Sequence, residues 1–190
     1  MLKRVRETKD SLRKRILKLL RDQKEEERLE KSQVIRNKLF ASREFKRSKA
    51  ILFYASVDGE VETFEMMKQA KEMGKQIALP IIIKDRKTLV PSRVENLQEE
   101  LMTGSYGVKE PKSCYFRPVD FNGIDLVIVP GVAFDKDNHR LGRGAGYYDR
   151  FLGKLSKPTP SIGLAFDFQI VNRLPHLAKH DIPVTRIIVN

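Results

Sequence analysis

Three glycines stand at alternate positions, Gly142, Gly144 and Gly146, with two arginines, Arg140 and Arg143, beside them. Glycine lets the backbone come close to a ligand because it has no Cβ, and the forked donors of arginine match phosphate oxygens. The spacing is not that of a P-loop, which a Gly-Lys-Ser/Thr sequence would close, nor that of the dinucleotide fingerprint. The residues alone leave two interpretations open: a phosphate site, or a flexible surface loop whose arginines are solvated.

The sequence on either side of this glycine-rich loop predicts the elements that would position it. An apolar run at 126–129 is followed by Pro130-Gly131, which predicts a buried strand that ends in a turn. After Gly146 the residues become compatible with a helix, from Tyr147 to Leu152. The order of strand, loop and helix would direct the unpaired N–H groups and the positive end of a helix toward a bound anion.

Apolar runs elsewhere in the chain alternate with helical spacing. We predict helices within 1–48 and at 63–73 and 97–103, and strands at 50–55, 76–83, 89–94, 124–129, 160–166 and 184–189. This alternation indicates a single α/β domain, residues 1–190, with a mainly parallel sheet and an amino-terminal helical segment at 1–48. The turn at 56–60 and the glycine-rich loop both follow strands, so we expect them to line one crevice at the carboxyl ends of the strands.

The chain has 190 residues, of which 41% are hydrophobic, and a formal net charge of +12. That length fits one domain with a sizeable core, and the charge indicates an acidic partner. A basic nucleic-acid-binding module is one alternative, although the aromatic residues fall in apolar runs rather than between basic residues on an exposed stripe. Another phosphate-handling enzyme on a similar α/β scaffold is the second alternative.

Cys114 is the single cysteine, so an intrachain disulfide is excluded and a reducing compartment fits. The amino-terminal residues lack the apolar stretch of a signal peptide, and no apolar run approaches the ~20 residues of a membrane span. We therefore expect a cytoplasmic protein without a membrane partner. The spacing of His139, His176 and His180 matches no transition-metal site, and we expect none there.

One long motif and several short segments, taken in order, resemble the 5-formyltetrahydrofolate cyclo-ligase family. The long motif is VPGVAFDKDNHRLGRGAGYYDRFL at 129–152, and the segments are KDSLR at 9–13, GEVET at 59–63, GVKEP at 107–111, GLAFDFQIV at 163–171 and His180-Asp181. The resemblance covers nearly the whole chain. It implies a Rossmann-like sheet flanked by helices on both faces, similar to the sugar-phosphate isomerase and CoA-transferase type.

The resemblance also implies a reaction. Such an enzyme cyclises 5-formyltetrahydrofolate to 5,10-methenyltetrahydrofolate and releases ADP and phosphate, with Mg²⁺ as cofactor and ATP as co-substrate. The formyl oxygen attacks the γ-phosphate, and N10 of the folate then closes the ring as phosphate departs. The expected partners are ATP and the folate, with or without a polyglutamate tail, and no nucleic acid or membrane. We expect a monomer.

Site residues follow from the resemblance, position by position. It implies ATP contacts at Lys9, Arg13, Arg140, Leu141, Gly142, Arg143, Gly144, Ala145, Gly146, Tyr147 and Tyr148. It implies folate contacts at Ala55, Glu60, Arg143, Gly144, Ala145, Gly146 and Tyr147, and Mg²⁺ ligands at Asp149 and Asp181. Ala145 departs from the family, which often has lysine there, so either Arg143, Arg140, Lys9 or Lys136 compensates or the rate is lower.

Overall fold

Five parallel strands and one antiparallel edge strand form the central sheet. The computed structural model describes residues 7–155, 158–176, 178 and 181–190. The strands of this sheet are β1 (Ala50–Leu52), β2 (Gln76–Ile83), β3 (Thr88–Val94), β6 (Leu126–Val129), β9 (Ser161–Ala165) and β11 (Arg186–Val189). They lie side by side in the order β11-β9-β6-β1-β2-β3. The predicted α/β fold with a mainly parallel sheet is confirmed.

The helices are α1 (Lys9–Asp22), α2 (Glu25–Ala41), α3 (Arg43–Arg47), α4 (Phe64–Glu72) and α5 (Tyr147–Leu152). Alternate side chains of a strand point to opposite faces of the sheet. On one face Ile51 packs in a core shared with α1 to α4. On the other face Leu52 packs in a core that includes Phe151 of α5. Helices therefore cover both faces, as the resemblance implies.

Two small sheets lie beside the central one. One contains β7 (Ala133–Asp135), β8 (Arg140–Leu141) and β10 (Ile170–Val171), and the other pairs β4 (Leu101–Thr103) with β5 (Lys109–Pro111). The hairpin of β7 and β8 fixes the start of the glycine-rich loop, because Val132 N donates to Leu141 O at 2.7 Å. Within the part of the chain that the structure describes, each helix is too short or too polar to span a membrane.

The predicted helix at 97–103 is wrong. Asn96 Oδ1 accepts hydrogen bonds from the backbone N–H groups of Gln98 and Glu99, at 2.9 and 3.2 Å, and so stabilises a turn instead of a helix. Residues 101–103 then pair with β5. The partner strand lies in a stretch, 104–117, whose glycines and prolines predict a loop, so the sequence contained no clear sign of this pairing.

Candidate active site

A cavity of about 340 Å³ opens beyond the carboxyl ends of the neighbouring parallel strands β1 and β6. The segment after β1 contributes Ala55 and Glu60 to its wall, and the segment after β6 contributes Pro130 and Gly131. The glycine-rich loop and the start of α5 close another side. The expectation that the turn at 56–60 and the glycine-rich loop share one crevice is confirmed.

Most of the predicted site residues line this cavity. They are Ala55, Glu60, Arg140, Gly142, Arg143, Ala145, Gly146, Tyr147, Tyr148 and Asp149. Leu141 of β8 does not, because its side chain is buried in the hydrophobic core. The other predicted residues do not line the cavity: Gly144 belongs to the loop itself, Arg13 donates to Gly142 O, and Lys9 pairs with Asp181.

Two residues of the glycine-rich loop have backbone conformations that are strained for any residue with a side chain. Gly144 has φ +110° and Gly146 has φ +66°, both in the range that favours glycine. Gly142 has neither a positive φ nor any atom within 4 Å of the place where a Cβ would stand. Its lack of a side chain therefore leaves open space beside the backbone.

Arg143 joins the glycine-rich loop to the turn at 56–60. Its Nη2 donates to Glu60 Oε1 at 3.0 Å, and its Nη1 donates to Asp58 Oδ2 at 3.0 Å. Burial raises the pKa of the Glu60 carboxyl, and the Arg143 guanidinium opposes that rise. The two carboxylates in turn raise the pKa of Arg143, although its burial opposes this effect. The pair therefore connects the predicted phosphate loop to the predicted folate acid.

Arg140 is almost fully buried behind the loop. Its Nη2 donates to Asp149 Oδ1 at 2.8 Å, while its Nε and Nη1 have no hydrogen-bond partner within the described structure. Burial lowers the pKa of this guanidinium, and the Asp149 carboxylate opposes that shift. Buried donors without partners are costly, so this arrangement favours an anionic ligand at the cavity wall.

Helix α1 contributes two cations to the same region. Lys9 Nζ donates to Asp181 Oδ2 at 2.9 Å, and Arg13 Nε donates to Gly142 O at 3.0 Å. The spacing of four residues puts both on one face of the helix. They reach different partners, a carboxylate and a loop carbonyl.

The segments that carry the two predicted magnesium ligands are distant in the sequence but meet in the structure. Asp149 Oδ1 accepts a hydrogen bond from the backbone N–H of Ile182, the residue after Asp181, at 3.4 Å. Carboxylate oxygens suit Mg²⁺, which prefers a few of them together with phosphate oxygens. The donor set therefore fits this ion. His180, which belongs to the same short segment, lies outside the described residues.

Comparisons with known proteins identify the family of this chain. A model of the 5-formyltetrahydrofolate cyclo-ligase family matches residues 5–190. A mouse 5-formyltetrahydrofolate cyclo-ligase is 32% identical over 97% of this chain and 94% of its own length. A probable 5-formyltetrahydrofolate cyclo-ligase from Caenorhabditis elegans is 31% identical over 97% of this chain and 93% of its own length. This chain belongs to the 5-formyltetrahydrofolate cyclo-ligase family.

Solved structures support the same assignment. The NMR structure of the Aquifex aeolicus 5,10-methenyltetrahydrofolate synthetase superposes with a TM-score of 0.82 and 34% identity, covering 95% of this chain and 89% of that one. The synthetase from Mycoplasma pneumoniae gives a TM-score of 0.76 and 28% identity, covering 95% of this chain and 97% of that one. The cyclo-ligase fold therefore extends through almost the whole chain.

Several lining residues were not among the site residues that the family resemblance implied. They are Tyr54, Val57, Pro80, Ile82, Leu89, Tyr106, Val108, Pro130, Gly131 and Val132. Tyr106 is exposed, has φ 60° and stands at the tip between β4 and β5. The neighbouring glycines indicate a loop tip there, but only the tertiary fold brings it to a cyclo-ligase cavity.

Ala145, which the family resemblance marked as a departure from an expected lysine, has an exposed side chain. Arg150 Nη2 donates to Ala145 O at 2.6 Å, and its Nε donates to Lys87 O at 2.6 Å. A cation therefore lies against the loop at this point, although its bonds are to the backbone. Arg150 was not among the residues expected to compensate.

His139 lies near two carboxylates, Asp135 and Asp137, and ligand atoms of the three are within 4.8 Å of one another. Asp135 Oδ1 already accepts hydrogen bonds from the backbone N–H groups of Asp137 and His139, and its Oδ2 accepts one from Leu174. Asp135 therefore shapes the turn between β7 and β8. The predicted cyclo-ligase site does not include this group.

Proposed function

We propose that this protein catalyses the ATP-dependent cyclisation of 5-formyltetrahydrofolate to 5,10-methenyltetrahydrofolate, with release of ADP and phosphate. One observation supports the proposal above the others: Arg143 and Glu60, the predicted phosphate and folate residues, meet in one cavity of a chain that belongs to the cyclo-ligase family. Both substrates must meet for a phosphoryl group to pass between them, and one shared cavity meets that requirement.

The first step transfers the γ-phosphoryl group. The formyl oxygen attacks the γ-phosphorus, the bond to the β-phosphate oxygen breaks, and ADP leaves. We propose that Arg140, Arg143 and the loop amides bind the phosphate oxygens, where they stabilise the charge that develops on the transferring group. The unpaired Nε and Nη1 of Arg140 are donors that would otherwise stay unsatisfied.

The second step closes the ring. N10 of the folate attacks the activated formyl carbon and loses its proton, and the bond from that carbon to the phosphorylated oxygen breaks, so phosphate departs. We propose that Glu60 accepts N–H bonds from the pterin and that Ala55 and Tyr147 contact the folate. Glu60 is well prepared for this role because Val57 N donates to its Oε2 at 3.2 Å and fixes the carboxylate.

We propose Asp149 and Asp181 as the ligands of a magnesium ion. The ion would neutralise part of the triphosphate charge. Both carboxylates are paired with cations, Asp149 with Arg140 and Asp181 with Lys9. Their lysine and arginine partners are therefore within reach of the phosphates that such an ion would hold.

The activity is tested directly. Purified protein is mixed with Mg-ATP and 5-formyltetrahydrofolate, and the near-ultraviolet absorbance of the methenyl product is followed. We expect product only when ATP is present, with one ADP released per product. A folded protein that forms no product with active reagents would contradict the proposal.

We also propose that polyglutamylated folate is a substrate and that the turn between β2 and β3 contacts its tail. Lys84, Arg86 and Lys87 are exposed there, and Lys84 Nζ lies 5.2 Å from the ring centroid of Tyr106, which lines the cavity. We expect the pentaglutamate to have a lower KM than the monoglutamate, and the difference to shrink as salt rises. Replacing the three cations by alanine should remove the difference, and an unchanged difference would argue against this turn.

We propose that the protein is a monomer and that it is located in the cytoplasm. The single cysteine, Cys114, fits a reducing compartment. Light scattering during size-exclusion chromatography tests the monomer, and fractionation of cells tests the location.

A further inference from the structure

Two predicted binding groups, Arg143 and Glu60, form an ion pair with each other in the protein without ligands. Arg143 donates to Glu60 Oε1 through Nη2 at 3.0 Å and through Nε at 3.4 Å. Its remaining nitrogen, Nη1, donates to Asp58 Oδ2 at 3.0 Å. All three guanidinium nitrogens of Arg143 therefore donate to carboxylates, and Glu60 Oε1 accepts two of these three bonds.

The two carboxylates differ in their surroundings. The side chain of Glu60 is 11% exposed, whereas the side chain of Asp58 is 54% exposed. Water can solvate Asp58 when its partner leaves. A buried carboxylate that loses its partner has no such substitute, and leaving it unpaired is costly.

We propose that the Arg143–Glu60 ion pair couples the two substrate sites, so that ATP and the folate each increase the affinity for the other. This inference rests on the proposed function. A triphosphate that attracts Arg143 leaves the carboxylate of Glu60 without its partner, and N–H donors of a pterin restore the lost hydrogen bonds. A folate that binds Glu60 first leaves Arg143 available for phosphate.

The coupling must be equal in both directions, because it is one free energy shared by two binding equilibria. A purely structural ion pair would behave differently. It would hold the glycine-rich loop and the turn at 56–60 in place, so weakening it would loosen both sites. The two explanations therefore predict opposite signs for the effect of Glu60→Gln on nucleotide binding alone.

The experiment measures equilibrium binding by calorimetry, with a non-hydrolysable ATP analogue and Mg²⁺, with and without 5-formyltetrahydrofolate. For the unaltered protein we expect each ligand to tighten the other by about fivefold or more. If both ligands bind but bind independently, the inference is wrong while the proposed function stands. If neither ligand binds the folded protein, the proposed function fails as well.

Two variants locate the coupling. Glu60→Gln should bind the analogue alone several-fold more tightly than the unaltered protein does, because Arg143 is no longer neutralised by a buried charge. Asp58→Asn is the matched control, since it removes one charge from the same arginine at an exposed position. We expect it to tighten analogue binding less and to retain the coupling.

Weaker analogue binding by Glu60→Gln would overturn the inference in favour of a structural role. Equal tightening by both variants would also overturn it, since that result indicates a general effect of charge. If Glu60→Gln fails to fold, the coupling measured in the unaltered protein and in Asp58→Asn still tests the inference. Loss of the coupling in Asp58→Asn would count against Glu60 as the coupling group.

Discussion

Asp149 is both a predicted magnesium ligand and the carboxylate partner of buried Arg140. Asparagine at 149 keeps an oxygen that can accept from Arg140 but removes the charge. We expect Asp149→Asn to lower turnover on the order of 100-fold and to raise the Mg²⁺ concentration needed for half-maximal rate. The free energy of unfolding should fall by only about 1–3 kcal/mol, from the uncompensated guanidinium.

Asp137→Asn is a suitable control for this prediction, because it removes an exposed carboxylate from the neighbouring turn. It should leave the Mg²⁺ dependence unchanged. If Asp149→Asn reduced stability and turnover to the same degree, with an unaltered Mg²⁺ dependence, then Asp149 would be a structural partner of Arg140 only.

The pKa of Glu60 gives a prediction about stability and pH. Burial raises the pKa of this carboxyl above its usual value of 4.5, so the folded protein holds the proton more tightly than the unfolded chain. The contribution of Glu60 to stability is therefore greatest below the unfolded pKa and declines as pH rises through the folded pKa. Glutamine at 60 cannot titrate and should lack this decline.

Urea denaturation of both proteins between about pH 4 and pH 7 measures this effect. The free energy of unfolding of the unaltered protein, relative to that of Glu60→Gln, should decrease with pH just above 4.5. A relative increase would mean that Arg143 outweighs burial and lowers the pKa of Glu60.

Substitution of Ala145 can measure how the absence of a lysine at this position affects ATP binding. Its side chain is exposed on the loop, so a longer one can be accommodated. We expect Ala145→Lys to lower the KM for ATP about fivefold, which corresponds to about 1 kcal/mol for one exposed ion pair. Ala145→Met has similar length without the charge and should leave the KM for ATP unchanged; an equal effect of both would assign the change to packing.

At the scale of elements, the amino-terminal helices hold the turn that carries Glu60. Gln23 Nε2 donates to Gly59 O at 3.1 Å, and Arg28 Nη1 donates to Glu60 O at 2.9 Å. A Cβ on Gly59 would lie 1.9 Å from Leu20 O, at the end of α1. The turn and the helix end therefore approach so closely that only glycine fits.

Two glycines with nearly the same φ allow the energetic cost of this contact to be distinguished from the cost of a positive φ. Gly59 has φ +78° and touches α1, whereas Gly74 has φ +79° and nothing within 4 Å of a Cβ. We expect Gly74→Ala to cost about 1–2 kcal/mol of stability and Gly59→Ala to cost more than about 3 kcal/mol. Gly59→Ala should also weaken folate binding, and equal costs in thermal unfolding would contradict the role of the α1 contact.

Features formed by residues close in the sequence were predictable, whereas most contacts between distant residues were not. The glycine-rich loop was predictable because strand, glycines, arginines and helix are consecutive in the chain. The contacts of Arg28 and Gln23 with the turn at 56–60 were not, since they join residues more than 30 positions apart. The turn at Asn96 was missed because a side-chain hydrogen bond replaced the expected helix.

At the scale of the whole molecule, the apolar runs predicted strands and the family resemblance implied helices on both faces. Neither gave the strand order, which depends on pairing between distant segments. The order places β1 beside β6 and so brings the turn at 56–60 and the glycine-rich loop to one cavity. The site therefore exists only in the assembled sheet.

The assembled core also predicts how the protein unfolds. Leu12 and Ile16 of α1 and Leu39 of α2 pack in the same core as Ile51 and Leu126 of the sheet. The amino-terminal helices then have no apolar core of their own among the described residues. We expect one cooperative unfolding transition for the single domain, because the amino-terminal helices and the sheet are two layers around one core. Loss of either layer exposes that core.

Two probes report on the two layers during urea denaturation. Far-ultraviolet circular dichroism is dominated by the helices, and tyrosine emission can be read without interference because the chain has 5 tyrosines and no tryptophan. Tyr54 and Tyr148 are placed at the cavity beside the sheet, so the emission follows that region. Because the two layers share one core, the midpoints of the two signals should coincide, and a helical signal lost at lower urea than the tyrosine signal would mean that residues 1–48 form a separate unit.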